Sequence, residues 1–325
     1  MRAIVFEQYG GPEVLRLADV PRPSPGPGEV TVDVAWAGVN FADVKARAEG
    51  YRVEALPFRP GLEVSGLIRE VGPDVTDFTP GQEVAAFLDG GGYAETALSP
   101  AATVFALPAG LDLRTGATLP SVLPTAYALL HEVGRLREGD TVLVQGAAGG
   151  VGTVAGQLAR LGGAAAVYGV VSSLDKADHA LKSGYDEVFT AATFDTDVRA
   201  ATGGRGVDIA LDPVGGETFR RTLGTLGRFG RLVSFGNAGS EEPWRIGPAD
   251  TYPLGLSVSG FSVLGMAAQE PQRLRRIADA AFRTVTDGDV ELPVSAEFPL
   301  ERAAEAHRLL ESRRSTGKLL LRVGG

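Results

Sequence analysis

The 325-residue chain contains no cysteine. Disulfides, thiolate zinc sites, iron–sulfur clusters and a cysteine nucleophile are excluded together, and the absence fits a cytoplasmic setting without requiring one. Histidine is almost as scarce. His131, His179 and His307 are the only three, and their spacing is not that of a metal pair; each reads more simply as a structural side chain. No apolar run approaches the roughly 18 to 20 residues that span a bilayer, and the opening MRAIVFEQYG meets acidic and turn residues early, so neither an anchor nor a targeting segment is expected. Basic charge is short as well. The chain has 31 Lys and Arg against 40 Asp and Glu, a net charge of −9; this disfavours nucleic acid as a main partner, because a phosphate backbone selects a basic surface.

What is present is a well-cored globular composition, 44% apolar and 22% charged. The length suits two domains, or one inserted in another. From Met1 to about Pro120, short alternating stretches such as EVTVDVAWAGV, SGLIREVG and QEVAAFLDGGGYAETALS are broken by Gly and Pro, the pattern of an antiparallel, barrel-like domain. Pro21 to Val30 (PRPSPGPGEV) reads as a proline-stiffened turn between two strands. Near Leu119 the texture changes, and short strands then alternate with helices as in a parallel sheet covered on both faces. After about Phe261 come two helical patterns and a closing strand, KLLLRV, a return to the first domain.

The strongest local signal is the run Val142 to Gly152 (VLVQGAAGGVG), an AxGxxG turn between an apolar strand and an amphipathic helix. In such a turn Gly149 lets the backbone approach a pyrophosphate, and Gly152 lets helix and strand pack closely. The first helical N–H groups then face the anion. Glycines in a tight turn also occur for packing alone. The end of the next strand separates NADPH from NADH. An Asp or Glu there takes the ribose hydroxyls of NAD, but this chain has Ser172-Ser173-Leu174-Asp175-Lys176. Ser172 can hydrogen-bond a 2′-phosphate and Lys176 can neutralise part of its charge. The competing reading has Ser173 capping a helix and Lys176 solvated, and the two are compatible.

Several motifs in one order carry a resemblance along essentially the whole chain. They are Gly38-Val39-Asn40-Phe41-Ala42-Asp43, Pro60-Gly61-Leu62-Glu63-Val64-Ser65-Gly66, Gly91-Gly92-Tyr93-Ala94-Glu95, Leu119-Pro120 and Thr125-Ala126-Tyr127. The glycine turn, Asp212-Pro213-Val214-Gly215-Gly216, Ser234-Phe235-Gly236-Asn237 and Thr316-Gly317-Lys318 complete the set. The chain resembles the medium-chain dehydrogenase/reductase superfamily in its quinone oxidoreductase (zeta-crystallin-like) branch.

The resemblance implies an α/β fold with a Rossmann doubly wound parallel sheet domain (122–260) inserted in a GroES-like β-barrel catalytic domain (1–121, with a return over 261–325), and a homodimer. It implies NADPH as cofactor and an active site between the domains. By that likeness Asn40 lies beside the nicotinamide ribose, and Thr125, Ala148, Gly149, Gly150, Val151, Gly152, Ser172, Ser173, Lys176, Val214, Phe235, Gly236, Asn237 and Lys318 serve the cofactor. Alcohol dehydrogenase relatives hold zinc through Cys and a Gly-His-Glu; here those positions are Asn40 and Gly61-Leu62-Glu63, so no metal site is expected. The branch often has a Tyr after the third Rossmann strand, but this chain has Val188-Phe189-Thr190-Ala191. An aromatic often found after Asp43 is replaced by Lys45.

Without a metal, the protein's task is to hold cofactor and acceptor in register, and the acceptor must already be electrophilic. A quinone, an enone or an enoyl thioester qualifies. Tyr51 is the leading candidate to orient or protonate the acceptor, with Asn40 and Asp43 second; Tyr51 as a loop aromatic and Asp43 as a structural acceptor are the plainer alternatives. Lys45, Arg52 and Phe261 are assigned to the acceptor cleft. A second enzymatic reading is an enoyl thioester reductase, with Lys45, Arg47, Arg52 and Arg59 as a phosphate-binding rim. A third is an NADPH-binding sensor or crystallin-like protein without turnover. The stretch Gly255 to Gly265 (GLSVSGFSVLG) reads as an apolar edge strand able to pair across a two-fold axis, or to bring Phe261 to the acceptor.

Overall fold

Val30, Val32 and Val34 recur at the two-residue period of a pleated strand, and all three are buried in Glu29–Val39, the longest strand of the chain. The computed structural model, which describes residues 1–240 and 242–324, divides the chain into two units. The first comprises Met1–Pro124, Met266–Thr286 and Leu292–Gly325; the second comprises Thr125–Gly265 and Asp287–Glu291. The return of Asp287–Glu291 to the second unit is a crossing that boundaries at 121 and 260 do not contain.

In the first unit the strand order is Val294–Pro299, Lys318–Arg322, Glu29–Val39, Glu63–Val71, Glu83–Phe87, Val104–Ala106, with Thr96–Pro100 also paired to Glu29–Val39. The register matters for the site. Leu319 lies opposite Val39, and Glu63 lies opposite Gly38. Lys318, Asn40 and Glu63 therefore meet at one end of three neighbouring strands, although the sequence separates them widely. Beneath the sheet, Ile4, Phe6, Val30, Val64 and Ile68 form the core with Leu319 and Leu321 of the C-terminal strand.

The second unit is a six-stranded parallel sheet in the order Glu187–Thr190, Ala166–Val171, Thr141–Gln145, Val207–Asp212, Leu226–Ser234, Ser257–Gly260. Numbered along the chain this is 3-2-1-4-5-6, the doubly wound dinucleotide-binding order. Every residue of Thr141–Gln145 is buried, as a central strand covered on both faces requires. Leu143 packs with Phe194, Val198, Phe219 and Leu223 from two of the flanking helices.

The helix Val122–Tyr127 widens to a π-helix over Ala128–Val133. The edge strand expected at Gly255–Gly265 is limited to Ser257–Gly260. Ser262 ends it, because its hydroxyl oxygen accepts from Gly265 N at 3.1 Å and the helix Val263–Gln269 starts there. Among the described residues no helix is long and apolar enough to cross a membrane.

Candidate functional site

Parallel pairing puts the carboxyl ends of the second unit's strands on one edge of the sheet, where α/β folds of this order bind ligands. Strand Thr141–Gln145 leads through Gly146 (φ 70°) to Gly149, the N-cap of the helix Gly150–Leu161. Gly149 offers no capping side chain. The first N–H groups of that helix, at Gly150, Val151 and Gly152, are thus available to an anion aided by the helix dipole. Gly152 is needed for close approach. A Cβ there would overlap the carbonyl oxygen of Gly146 and come within 2.7 Å of the Ala147 backbone. Ala148, buried, completes the turn.

At the end of the neighbouring strand Ser172 and Ser173 are exposed. The Ser173 hydroxyl accepts from Asp175 N at 3.4 Å, which caps the short turn Leu174–Lys176, so the capping reading of Ser173 is realised. Ser172 is the serine of the pair without that capping duty. Lys176 stands at the start of the helix Ala177–Lys182, close enough to His179 to help lower its pKa, behind the larger effect of burial.

Across the sheet, Asp212 is buried, and its carboxylate accepts from Val214 N at 2.8 Å and Gly215 N at 3.2 Å. Burial raises its pKa to about 6, with those two bonds opposing the rise. Phe235 N donates to Asp212 O, and Ala238 N to Pro213 O, so the Val214 loop and the Phe235–Gly236–Asn237 loop are bound to one another. Phe261, half-buried, donates its N–H to Ser234 O at 2.9 Å and so joins the same edge. Thr125 is buried in the helix Val122–Tyr127. The structure thus brings the expected residues of this unit, Thr125 apart, to the carboxyl edge of one sheet.

In the first unit the polar residues form a buried cluster. Asn40 caps the helix Phe41–Glu49, where its backbone N–H donates to Asp43 Oδ2 at 2.9 Å. Asn40 Nδ2 donates to Glu63 Oε1 at 2.9 Å, and Asn40 Oδ1 accepts from Lys318 Nζ at 3.0 Å. Lys318 and Glu63 also form a direct ion pair, in which both side chains are almost wholly buried. The second carboxylate oxygen of Glu63 accepts from Ser121 N at 2.8 Å. Glu63 is the residue that sequence reasoning missed as a site group. It stands in the quoted Pro60–Gly66 motif, and a lone Glu opening an apolar strand was the available signal.

Asp43 differs from its catalytic assignment. It is 2% exposed, and its oxygens accept from Asn40 N, from Gly61 N at 2.9 Å and from the Tyr93 hydroxyl at 3.3 Å. Gly61 reaches it from a turn at φ 111°, a conformation that favours glycine. Burial raises Asp43 to about 7. It acts as a clamp between the helix and the Gly61 turn. Tyr93 continues the chain to His307, 3.3 Å from its hydroxyl. The other two histidines are engaged as well, His179 with Thr153 Oγ1 at 2.9 Å and His131 against the Tyr127 ring at 4.4 Å between centroids.

The basic rim is also revised. Arg47 is fully buried and ion-paired with Glu311, because it sits on the inward face of its helix. Lys45 is nearly buried, 3.2 Å from Glu49 and 5.9 Å from the centre of the Tyr51 ring. Arg52 is held by both oxygens of Asp89, at 3.1 and 2.9 Å. Arg59 is half-buried. Tyr51 is 40% exposed on the turn after the helix. The Lys318 ammonium, expected to serve the cofactor, donates to Glu63 and Asn40.

Two family models match the chain: "Zinc-binding dehydrogenase" over residues 150–280 and "Alcohol dehydrogenase GroES-like domain" over residues 26–109. A quinone oxidoreductase of Rattus norvegicus is 37% identical over 99% of this chain and 97% of its own length. Among solved structures, Escherichia coli quinone oxidoreductase complexed with NADPH superposes with a TM-score of 0.92 at 30% identity, covering 99% of this chain and 100% of that one. A protein described as an NAD-dependent alcohol dehydrogenase gives 0.88 at 33% identity, with both chains fully covered. The donor set of this chain does not fit the zinc of the first family description. Cysteine is absent, residue 62 is Leu, and Glu63 is already neutralised by Lys318. Among the described residues no group of three His, Cys, Asp or Glu is arranged to hold a metal.

Proposed function

Because this chain belongs to the medium-chain dehydrogenase/reductase superfamily, in its quinone oxidoreductase branch, we propose that it is an NADPH-dependent, zinc-independent oxidoreductase that delivers hydride to a quinone or an α,β-unsaturated carbonyl compound. The observation that carries the reading is the uncapped helix start at Gly149–Gly152, with exposed Ser172 at the end of the neighbouring strand. The first suits a pyrophosphate, and the second accepts a 2′-phosphate where an acidic residue would repel it. The amides of Gly150, Val151 and Gly152 hold the pyrophosphate, with Ala148 and Gly149 shaping the turn. Ser172 and Lys176 take the 2′-phosphate, and Ser173 supports them as a cap. Thr125, Val214, Phe235, Gly236 and Asn237 serve the nicotinamide half, and Asn40 its ribose.

When bound, NADPH supplies a hydride. The protein's own residues supply position, and none of them polarises an unactivated ketone as a metal does. An acceptor that is electrophilic beforehand fits such a site. Tyr51, exposed beside the buried Lys45 ammonium, is assigned to orienting it, and Phe261 to its apolar wall. The enoyl thioester reading loses most of its support, since three of the four basic residues meant for its phosphates, Lys45, Arg47 and Arg52, are paired with Glu49, Glu311 and Asp89. NADPH oxidation followed in parallel against a simple quinone, a short enone and a short enoyl-CoA, each repeated with NADH, tests the reading. Turnover with quinone or enone and a preference for NADPH supports it. Turnover confined to the enoyl-CoA overturns the acceptor, and equal use of NADH overturns the role of Ser172 and Lys176. Tight binding of NADPH with no turnover at all favours a non-enzymatic role.

We also propose a homodimer through Ser257–Gly260, the edge strand of the parallel sheet. Phe229 and Tyr252 near it are 69% and 79% exposed, and Phe229 N donates to Leu254 O just before the strand. An open edge flanked by exposed aromatics is a surface that a second copy covers.

A further inference from the structure

We infer that Glu63 is a positioning residue: it fixes the side-chain amide of Asn40 in one orientation, and the buried Glu63–Lys318 pair acts on bound NADPH only through that amide. The inference rests on the NADPH reading above and extends it to residues that touch no ligand themselves.

The geometry is that of a three-way lock. Asn40 Nδ2 donates to Glu63, while Asn40 Oδ1 accepts from Lys318, which is itself bound to the same Glu63 oxygen. A rotated amide would place its oxygen against the carboxylate and its NH2 group against the ammonium, so both contacts would become repulsive. Each Asn side chain has two N–H groups and two acceptor lone pairs. The lock uses one of each and leaves one N–H and one lone pair, a set that matches a ribose hydroxyl, which both donates and accepts. Asn40 is only half-buried, whereas Glu63 and Lys318 have side-chain exposures of 0% and 3%. Of the three, Asn40 is therefore the residue within reach of a ligand.

Stability alone does not account for the pair. Taking two charges out of water costs about as much as their attraction returns, and apolar replacements of such pairs are often neutral or stabilising. Yet the fold makes room for this one. Gly38, opposite Glu63 on the paired strand, has no side chain, and a Cβ there would overlap the carboxylate. Ser121 N anchors the other oxygen, so the carboxylate cannot swing away from the amide.

The test uses the full-length protein, with NADPH affinity read from nicotinamide fluorescence and the Tm of the ligand-free protein read alongside. Glu63→Gln leaves Lys318 without its counter-charge and lowers Tm; Glu63→Gln/Lys318→Met removes both charges and restores it. The expected result is that NADPH Kd rises roughly 10-fold or more in both variants, since both lose the lock, and that adding Glu63→Gln to an Asn40→Ala background changes Kd by less than about 2-fold. Recovery of wild-type affinity together with Tm in the double variant makes the pair merely structural and overturns the inference. So does an effect of Glu63→Gln that is undiminished in the Asn40→Ala background. A wild-type protein that binds no NADPH overturns the functional reading and the inference with it, whereas wild-type binding with either of the two preceding results overturns the inference alone.

Discussion

Arg47 and Glu311 are joined by an ion pair in which one partner is fully buried and the other keeps about a third of its side-chain surface in water. The asymmetry dictates unequal costs of breaking it. Arg47 already has Nε and Nη1 without hydrogen-bond partners among the described residues. Glu311→Gln leaves a buried guanidinium with no counter-charge and is expected to destabilise the fold by about 3 kcal/mol. Arg47→Met returns Glu311 to water and is expected to cost about 1 kcal/mol or less. Urea denaturation of the two variants at pH 7.5 checks this, and the opposite ranking contradicts it.

His307 and Asp43, the two ends of the chain through Tyr93, respond to pH in opposite directions. Burial, helped by the nearby Arg47 charge, holds His307 down at about 3. The folded protein keeps it neutral, while the unfolded chain protonates it below about 6.5, so its contribution to stability is lost as pH falls from about 6.5 toward 3. Asp43, raised by burial to about 7, is protonated in the folded state at pH values where the unfolded chain ionises it, so its contribution falls as pH rises from about 4 to 7. The pair of slopes partly cancels in the wild type. His307→Gln isolates one of them. The stability gap between wild type and variant is expected to shrink by about 2 kcal/mol between pH 7.5 and pH 5, because one pKa unit corresponds to about 1.4 kcal/mol. A gap that does not change with pH, measured by denaturation at both values, refutes the assignment of His307 as a neutral buried base.

Much of this was legible beforehand. The strand-turn-helix at Val142–Gly152 declares itself because its glycines stand between an apolar strand and an amphipathic helix, and the 2-residue period of Val30, Val32 and Val34 marks a strand without further help. The polar cluster of the first unit was less legible, because strand register makes it. Lys318 reaches Glu63 only because Leu319 pairs with Val39 and Gly38 with Glu63, and no local pattern near Lys318 encodes that. The sign of a side chain's surroundings was equally hidden. Arg47 and Lys45 read as part of a phosphate-binding rim, but helix phase turns Arg47 inward to Glu311. Ser262 shortened an apolar stretch that reads as one strand, since a single capping hydroxyl outweighs the propensity of the residues around it.

On the proposed reading Ser172 carries the cofactor preference more than Ser173, whose hydroxyl is occupied by its own turn. Ser172→Asp sets a carboxylate against the 2′-phosphate, and a close like-charge contact costs several kcal/mol. The ratio of kcat/KM for NADPH over NADH is expected to fall roughly 100-fold, about 2.7 kcal/mol. Ser173→Ala, by contrast, removes a cap and is expected to lower Tm with little change in that ratio. Steady-state kinetics with both nucleotides distinguish the two serines, and an unchanged ratio in Ser172→Asp removes the 2′-phosphate site from this strand end.

The edge strand Ser257–Gly260 gives the last prediction. Among the described residues it pairs on one side only, with Leu226–Ser234, so its outer edge suits pairing with the same strand of a second copy about a two-fold axis. Phe229, in the neighbouring strand, and Tyr252, just before the edge, are both exposed, so a dimer formed there covers them as well. Phe229→Glu/Tyr252→Glu sets four carboxylates along such an interface, while neither substitution touches the core. Sedimentation velocity at micromolar protein is expected to give a dimer for the wild type and a monomer for the variant, with NADPH affinity little changed. A wild type that sediments as a monomer, or a variant that remains a dimer, excludes this edge as the interface.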